Sequence, residues 1–362
     1  MQLRERRQQG LKAAVAEGAD ALLVTHGPDV RYLSGFTGSS GAMALTRGGA
    51  VLFTDGRYTA QAKAEAAGLR VVIGKKAPGL LATEWLAGRG ATRCAFDAGV
   101  TTVAQLEAMR KVLPGAQRRS FFTATQGMVA RLRELKDEGE IRMMRKAAAL
   151  GCRLFDGVLE RIVPGGTEVE VALWMEFEAR RAGAEAMSFD TIVASGKRSA
   201  LPHGRASSAK LPRKGFVTLD FGVVLDGYCS DMTRTVHLGR ATQREWDVYH
   251  SVLEAQEAGV AAVAPGVRCG EIDEAARSVL RRAKLDKWFT HSTGHGVGLE
   301  IHEGPRLAAK QEQVLEPGMV VTIEPGVYLP DEFGVRIEDM VLVTERGGDV
   351  LTAASPKAWI EL

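Results

Sequence analysis

One order of elements occurs twice in the last two-thirds of this 362-residue chain. A long helix-like stretch, Asp137 to Ile162, ends at Val163-Pro-Gly-Gly166. A second helix then starts at Thr167, where Glu170 completes a capping box. Strand-like Phe189–Ala194 and Val217–Gly222 follow. About a hundred residues later the order returns. Thr242 with Glu245 caps a helix ending at Ala264-Pro-Gly266, another helix runs near Glu271 to Ala283, and then come Trp288-Phe-Thr and Val320–Gly326. Two copies are too few for a solenoid, whose repeats bury a core only by stacking several deep. They predict one α+β domain with an internal pseudo-two-fold duplication and a site at the seam between its halves.

The first third has a different character. Leu3–Glu17 reads as a helix closed by Gly18, and Ala21–Val24 as a short buried strand. Arg47-Gly-Gly49 between Ala42–Thr46 and Ala50–Thr54 is a hairpin signal. Helix-like Arg57–Ala67 and strand-like Val71-Val-Ile, Cys94-Ala-Phe and Ser120-Phe-Phe complete an α/β pattern. The expected domains are therefore 1–128 and 129–362.

Composition excludes several classes. Forty-seven Lys plus Arg against 44 Asp plus Glu leave a net charge of +3, with no broad basic field to hold nucleic acid. The four Cys form no C-x-x-C pair, against a zinc ribbon or a disulfide scaffold. The charged start lacks the apolar core of a secretory signal, and no run reaches the ~18 apolar residues of a membrane span. A cytoplasmic protein without membrane or nucleic-acid partners is the expectation. Gly35–Gly41 lacks the G-K-[ST] of a P-loop, and Gly294-x-Gly-x-Gly298 lacks Rossmann spacing.

The chemistry concentrates in acidic pairs and histidines. Asp226-Gly227 is a type I′ turn signal that sets Leu225 opposite Tyr228 and Asp220 opposite Thr233. That register puts Asp231 on the face of Asp220 as a diagonal neighbour. Two carboxylates on an inward face repel unless a cation lies between them; on an exposed face they are merely solvated. Glu324 and Glu338 likewise interrupt β-branched runs, as ligands or as ordinary edge-strand residues. Three of only seven His, at 291, 295 and 302, fall within a dozen residues. Gly294, Gly296 and Gly298 make a helix there improbable and suggest backbone drawn close to something bound. Asp220, Asp231, Glu324 and Glu338 carry four negative charges, matching two divalent cations, with His295 as a fifth ligand. This oxygen-rich set suits Mn²⁺ before Co²⁺ or Zn²⁺. Such a pair of ions can acidify a shared water and polarise a carbonyl.

In this order and spacing, Asp220, Asp231, His295, Glu324 and Glu338 resemble the ligands of the pita-bread metallopeptidases. Residues 1–128 resemble the creatinase/prolidase-type N-terminal domain, so the resemblance covers the whole chain and points away from methionine aminopeptidases. It implies a dinuclear Xaa-Pro metallopeptidase, acting on small proline-containing peptides as a homodimer. It also implies roles for single residues: His203 near the substrate and the developing oxyanion, and His302 at the scissile bond. Arg336 would stand beside the last ligand, Tyr328 after the Glu-Pro-Gly turn, and His291 in the pocket, with Glu324 as acid and base. Residues 31–58 look more like the aminopeptidase P type, which releases the N-terminal residue ahead of proline. The alternative is a prolidase, which hydrolyses Xaa-Pro dipeptides. A more remote one is a non-catalytic peptide-binding relative.

Overall fold

The computed structural model describes residues 3–362, which divide into two compact units between Arg133 and Glu134. In the first, helices α1 (Leu3–Ala16), α2 (Gly27–Ser34), α3 (Thr59–Glu65), α4 (Pro78–Gly88) and α5 (Val103–Lys111) surround a six-stranded mixed sheet. Its strands are β1 (Ala21–Val24), β2 (Gly41–Thr46), β3 (Gly49–Asp55), β4 (Arg70–Gly74), β5 (Cys94–Asp97) and β6 (Phe122–Thr125), in the order β4-β3-β2-β1-β5-β6. Leu23, Phe53, Leu86 and Phe121 lie in its core. Helix α6 (Met128–Glu134) carries the chain out of this unit. The division falls past the 128/129 boundary expected from sequence, because α6 belongs to the first core. Met128 and Val129 are buried, and the buried Arg133 pairs with Asp29 at 2.7 Å.

The second unit holds both copies of the repeat. The first begins with α7 (Glu138–Val158), capped by Asp137, and α8 (Glu168–Arg181), capped by Thr167. Then come β7 (Ala186–Met187), β8 (Ile192–Ser195), β9 (Gly215–Phe221), β10 (Val223–Leu225), β11 (Tyr228–Cys229) and β12 (Met232–Leu238). The second begins with α9 (Gln243–Ala261), whose Thr242–Glu245 capping box forms, and α10 (Cys269–Arg282). It continues through β13 (Gly294–Gly296), β14 (Glu303–Leu307), β15 (Val320–Ile323), β16 (Gly326–Leu329), β17 (Phe333–Arg336), β18 (Asp339–Thr344) and β19 (Gly347–Val350). The main sheets run β12-β9-β8 and β14-β13-β15-β18-β19. Phe155 and Met175 from the first helix pair pack on Val217 and Leu219 of β9. Ile272 of α10 packs with Val321 and Ile323 of β15.

Two expectations change. Trp288-Phe-Thr is not a strand: Asp286–Trp288 is a 3₁₀ turn, and Phe289 is buried with the Arg277 guanidinium 4.1 Å from its ring centroid. The strand of this copy is instead β13, built on Gly294-His-Gly296. Its glycines serve the sheet itself. A Cβ at Gly294 would stand 1.8 Å from the Thr322 carbonyl oxygen, and one at Gly296 1.9 Å from that of Gly304. No helix among the described residues is long and apolar enough to cross a membrane.

Candidate metal centre

The hairpin register read from Asp226-Gly227 is the one observed, with Leu225 opposite Tyr228 and Asp220 opposite Thr233. The Asp face points inward. Asp231 and Glu338 are buried, and Asp220 and Glu324 are only slightly exposed, so the solvated-carboxylate and edge-strand readings do not hold. Strand β9 supplies Asp220, the residue before β12 supplies Asp231, and β13 supplies His295. Glu324 follows β15, and Glu338 lies between β17 and β18. All the expected site residues except Tyr328 line one cavity of about 600 Å³. Tyr328 is buried behind it and reaches the site through its hydroxyl.

Ligand atoms of Asp231, His295 and Glu338 all lie within 4.8 Å of one another. His295 Nε2 is 3.5 Å from Glu324 Oε1 and 3.7 Å from Asp231 Oδ2. Its Nδ1 donates to the Gly296 carbonyl at 3.0 Å, which leaves the Nε2 lone pair facing the carboxylates. Burial pushes this imidazole down to about 4, so it is neutral at physiological pH. Buried Asp220 Oδ1, Asp231 Oδ1 and Glu338 Oε1 have no hydrogen-bond partner. Orphaned buried carboxylate oxygens are costly, and here they sit beside an imidazole lone pair. That donor set fits a hard divalent cation. Without one, Asp231, Glu324 and Glu338 hold protons more tightly than ordinary carboxylates do. Burial, followed by the neighbouring Asp220, pushes Glu338 up to about 8. Burial and then Glu338 raise Asp231 and Glu324 well above the usual carboxylate range.

Arg336 organises the rim. It donates to Asp220 Oδ2 at 2.5 Å, Tyr328 Oη at 2.7 Å, the Pro202 carbonyl at 3.0 Å and Thr233 Oγ1 at 3.1 Å. Thr233 Oγ1 in turn donates to Glu338 Oε2 at 2.7 Å. Burial pushes the Tyr328 hydroxyl up to about 12, so it keeps its proton and donates it to His291 Nε2 at 2.9 Å. His291 is pushed down to about 4 by burial, then by Arg336, and its Nδ1 donates to the Ser292 carbonyl. Exchanging Arg336 for Met, in metal-free protein, leaves Asp220 without its guanidinium. Urea unfolding is expected to show a loss of about 3–5 kcal/mol; a change below 1 kcal/mol would mean that the Arg336–Asp220 pair contributes no net stability.

Residues 142–345 match the model of Metallopeptidase family M24, and residues 6–135 that of the Creatinase/Prolidase N-terminal domain. The chain belongs to metallopeptidase family M24. An uncharacterized Bacillus subtilis peptidase, YqhT, is 39% identical across 95% of this chain and 96% of that protein. Among solved structures, the Xaa-Pro dipeptidase from Bacillus anthracis superposes with a TM-score of 0.95 at 39% identity, covering 100% of both chains. The X-Pro aminopeptidase from Thermotoga maritima reaches 0.88 at 34% identity, covering 97% of this chain and 100% of that one. The pita-bread expectation for the M24 unit, with its creatinase-type N-terminal unit, therefore stands.

Sequence reasoning missed Asp190, Arg205 and Arg306, which also line the cavity. Arg205 lies two residues after His203 and Arg306 four after His302, so proximity to the singled-out histidines was the available signal.

Proposed function

We propose that the chain hydrolyses Xaa-Pro peptides, with dipeptides as its preferred substrates. The observation that carries this reading is full-length likeness to the Bacillus anthracis Xaa-Pro dipeptidase at a TM-score of 0.95. Arg306 on the cavity wall supports it, since a guanidinium recognises the free carboxylate that a dipeptide presents directly after proline, whereas Arg205 on the same wall is paired with Asp190 at 3.0 Å. The aminopeptidase reading drawn from residues 31–58 gives way as the main one. Those residues belong to an N-terminal unit whose likeness extends to dipeptidases and an aminopeptidase alike.

Asp220, Asp231, His295, Glu324 and Glu338 would hold two divalent cations, Mn²⁺ in our reading. Bound there, such ions supply an acidified water and polarise the scissile carbonyl. Glu324 takes the proton released by the nucleophile and returns it to the prolyl nitrogen as the C–N bond breaks. His203 and His302 face the cavity from different segments and stabilise charge developing on the carbonyl oxygen. Proline has no N–H, so the pocket needs no acceptor at the position following the scissile carbonyl. The working form is proposed to be a homodimer.

Hydrolysis of an Xaa-Pro dipeptide is compared with that of an Xaa-Pro-Xaa tripeptide in protein loaded with Mn²⁺, Co²⁺ or Zn²⁺. We expect kcat/KM at least about tenfold higher for the dipeptide, the size of effect a recognised terminal charge gives. Cleavage of the tripeptide alone would restore the aminopeptidase reading, and cleavage of neither would reject both.

A further inference from the structure

Each copy of the repeat buries a carboxylate on its second helix, and each such carboxylate grips the segment that carries a pocket histidine. In the first copy this is Glu168, at the start of α8, with no exposure to solvent. Its Oε1 accepts from Ser195 N at 2.8 Å and Ser195 Oγ at 3.0 Å. Its Oε2 accepts from Ser207 N at 3.2 Å, Ser207 Oγ at 2.7 Å and Arg198 Nε at 3.0 Å. The donors stand at both ends of the 195–207 loop, and Arg198 also donates to the Arg205 carbonyl at 2.8 Å. Between them lie Pro202, His203 and Arg205, which form one wall of the cavity.

In the second copy it is Asp273 of α10, also buried. Asp273 Oδ1 accepts from Thr293 N at 3.2 Å and Thr293 Oγ1 at 2.8 Å, and Oδ2 from Arg277 Nε at 2.7 Å. The remaining Arg277 donors reach the Phe289 carbonyl at 3.0 Å and the His291 carbonyl at 2.5 Å. The motif is shared: a buried carboxylate, a Ser or Thr giving it both N–H and O–H, and an arginine that bridges onward to the loop backbone.

A buried carboxylate must fill its lone pairs, and neither group lines the cavity. Glu168 spends them on the two ends of the 195–207 segment, and Asp273 on Thr293 and on Arg277 of its own helix, which in turn holds the 289–291 backbone. We infer that Glu168 and Asp273 are positioning residues, setting His203 and His291 respectively, each copy of the repeat orienting one side of the pocket. This inference rests on the Xaa-Pro peptidase reading for its kinetic consequence and not for its structural one.

The structural consequence is tested by hydrogen exchange on the full chain. Glu168→Gln is expected to speed exchange in 195–207 while 289–293 keeps its protection, and Asp273→Asn to do the reverse. Ser207→Ala, which removes a single donor at the loop's edge, is a milder variant expected to loosen 195–207 in the same way. Unchanged exchange, or a loss of protection spread over the whole second unit in all three variants, would overturn the inference. The kinetic consequence is tested with metal-loaded protein on an Xaa-Pro dipeptide. Glu168→Gln is expected to lower kcat/KM by roughly 10- to 100-fold, as displacement of a positioned group by about 1 Å can. The loss should be absent in a His203→Ala background, because Glu168 acts through His203. Additive losses would mean an independent, merely structural role. If the unaltered protein cleaves no Xaa-Pro peptide, the functional reading fails, and the exchange pattern still decides whether the carboxylates hold the two loops.

Discussion

Glu324→Gln is expected to remove turnover of Xaa-Pro peptides while leaving a well-folded protein. The side chain sits 3.5 Å from His295 Nε2 and 3.5 Å from Thr322 Oγ1, buried among acidic groups that raise its proton affinity well above that of an ordinary carboxylate. A glutamine keeps the shape and one acceptor oxygen but cannot carry a proton between nucleophile and leaving nitrogen. Loss of a positioned acid–base group costs about 10²–10⁴ in kcat. Stability should move the other way. The exchange deletes one of several mutually repelling carboxylates, so metal-free Glu324→Gln should melt no lower than metal-free parent protein at pH 8. Steady-state kinetics with a dipeptide and thermal melts of chelated protein measure the two effects. Near-parental kcat would take Glu324 out of the proton pathway, and a sharply lower melt would show that it is needed for packing.

Local chemistry made much of this legible in sequence. Asp226-Gly227 fixes a two-residue turn, so the partner of every residue on the hairpin follows by counting, down to Asp220 against Thr233. Thr167 with Glu170 and Thr242 with Glu245 form the capping boxes that their spacing announces. What sequence could not give are partners brought in by tertiary folding. Glu168 reads as a surface residue in a helix's first turn, yet its donors come from 27 and 39 positions away. Arg336 gathers Asp220, Pro202, Thr233 and Tyr328 from separate stretches of chain. Gly294 and Gly296 mark a close approach to a neighbouring strand rather than to a bound group, and the two leave the same mark on a sequence.

The second large effect is a pH-dependent loss of stability on removing metal. In chelated protein, Glu338 is pushed up to about 8, and Asp231 and Glu324 lie well above their ordinary values. In the unfolded chain these groups return to ~4. Through the interval the folded state binds more protons than the unfolded one. The stability this confers is fully present below the unfolded value and is lost as pH rises through the folded one, by at most about 1.4 kcal/mol per pH unit for each group. His291 and His295, both pushed down to about 4, act in the opposite sense, because the unfolded chain protonates them first. Their contribution is complete once pH passes ~6.5, the unfolded histidine value. Between pH 6.5 and 8 the carboxylates set most of the slope, and the thiols of Cys94, Cys152 and Cys269, raised by burial, add in the same sense toward pH 8, so the melting temperature of chelated protein should fall across that window. A divalent cation replaces the protons, and its stabilisation should therefore be greatest at pH 8 and shrink toward pH 6.5. Glu338→Gln should flatten the slope of the chelated protein by removing one of the titrating groups. Melting curves at three pH values, with chelator and with Mn²⁺, decide it: a pH-independent metal shift, or a chelated protein that gains stability toward pH 8, would show that these carboxylates do not share the buried, proton-holding cluster from which the metal centre is proposed.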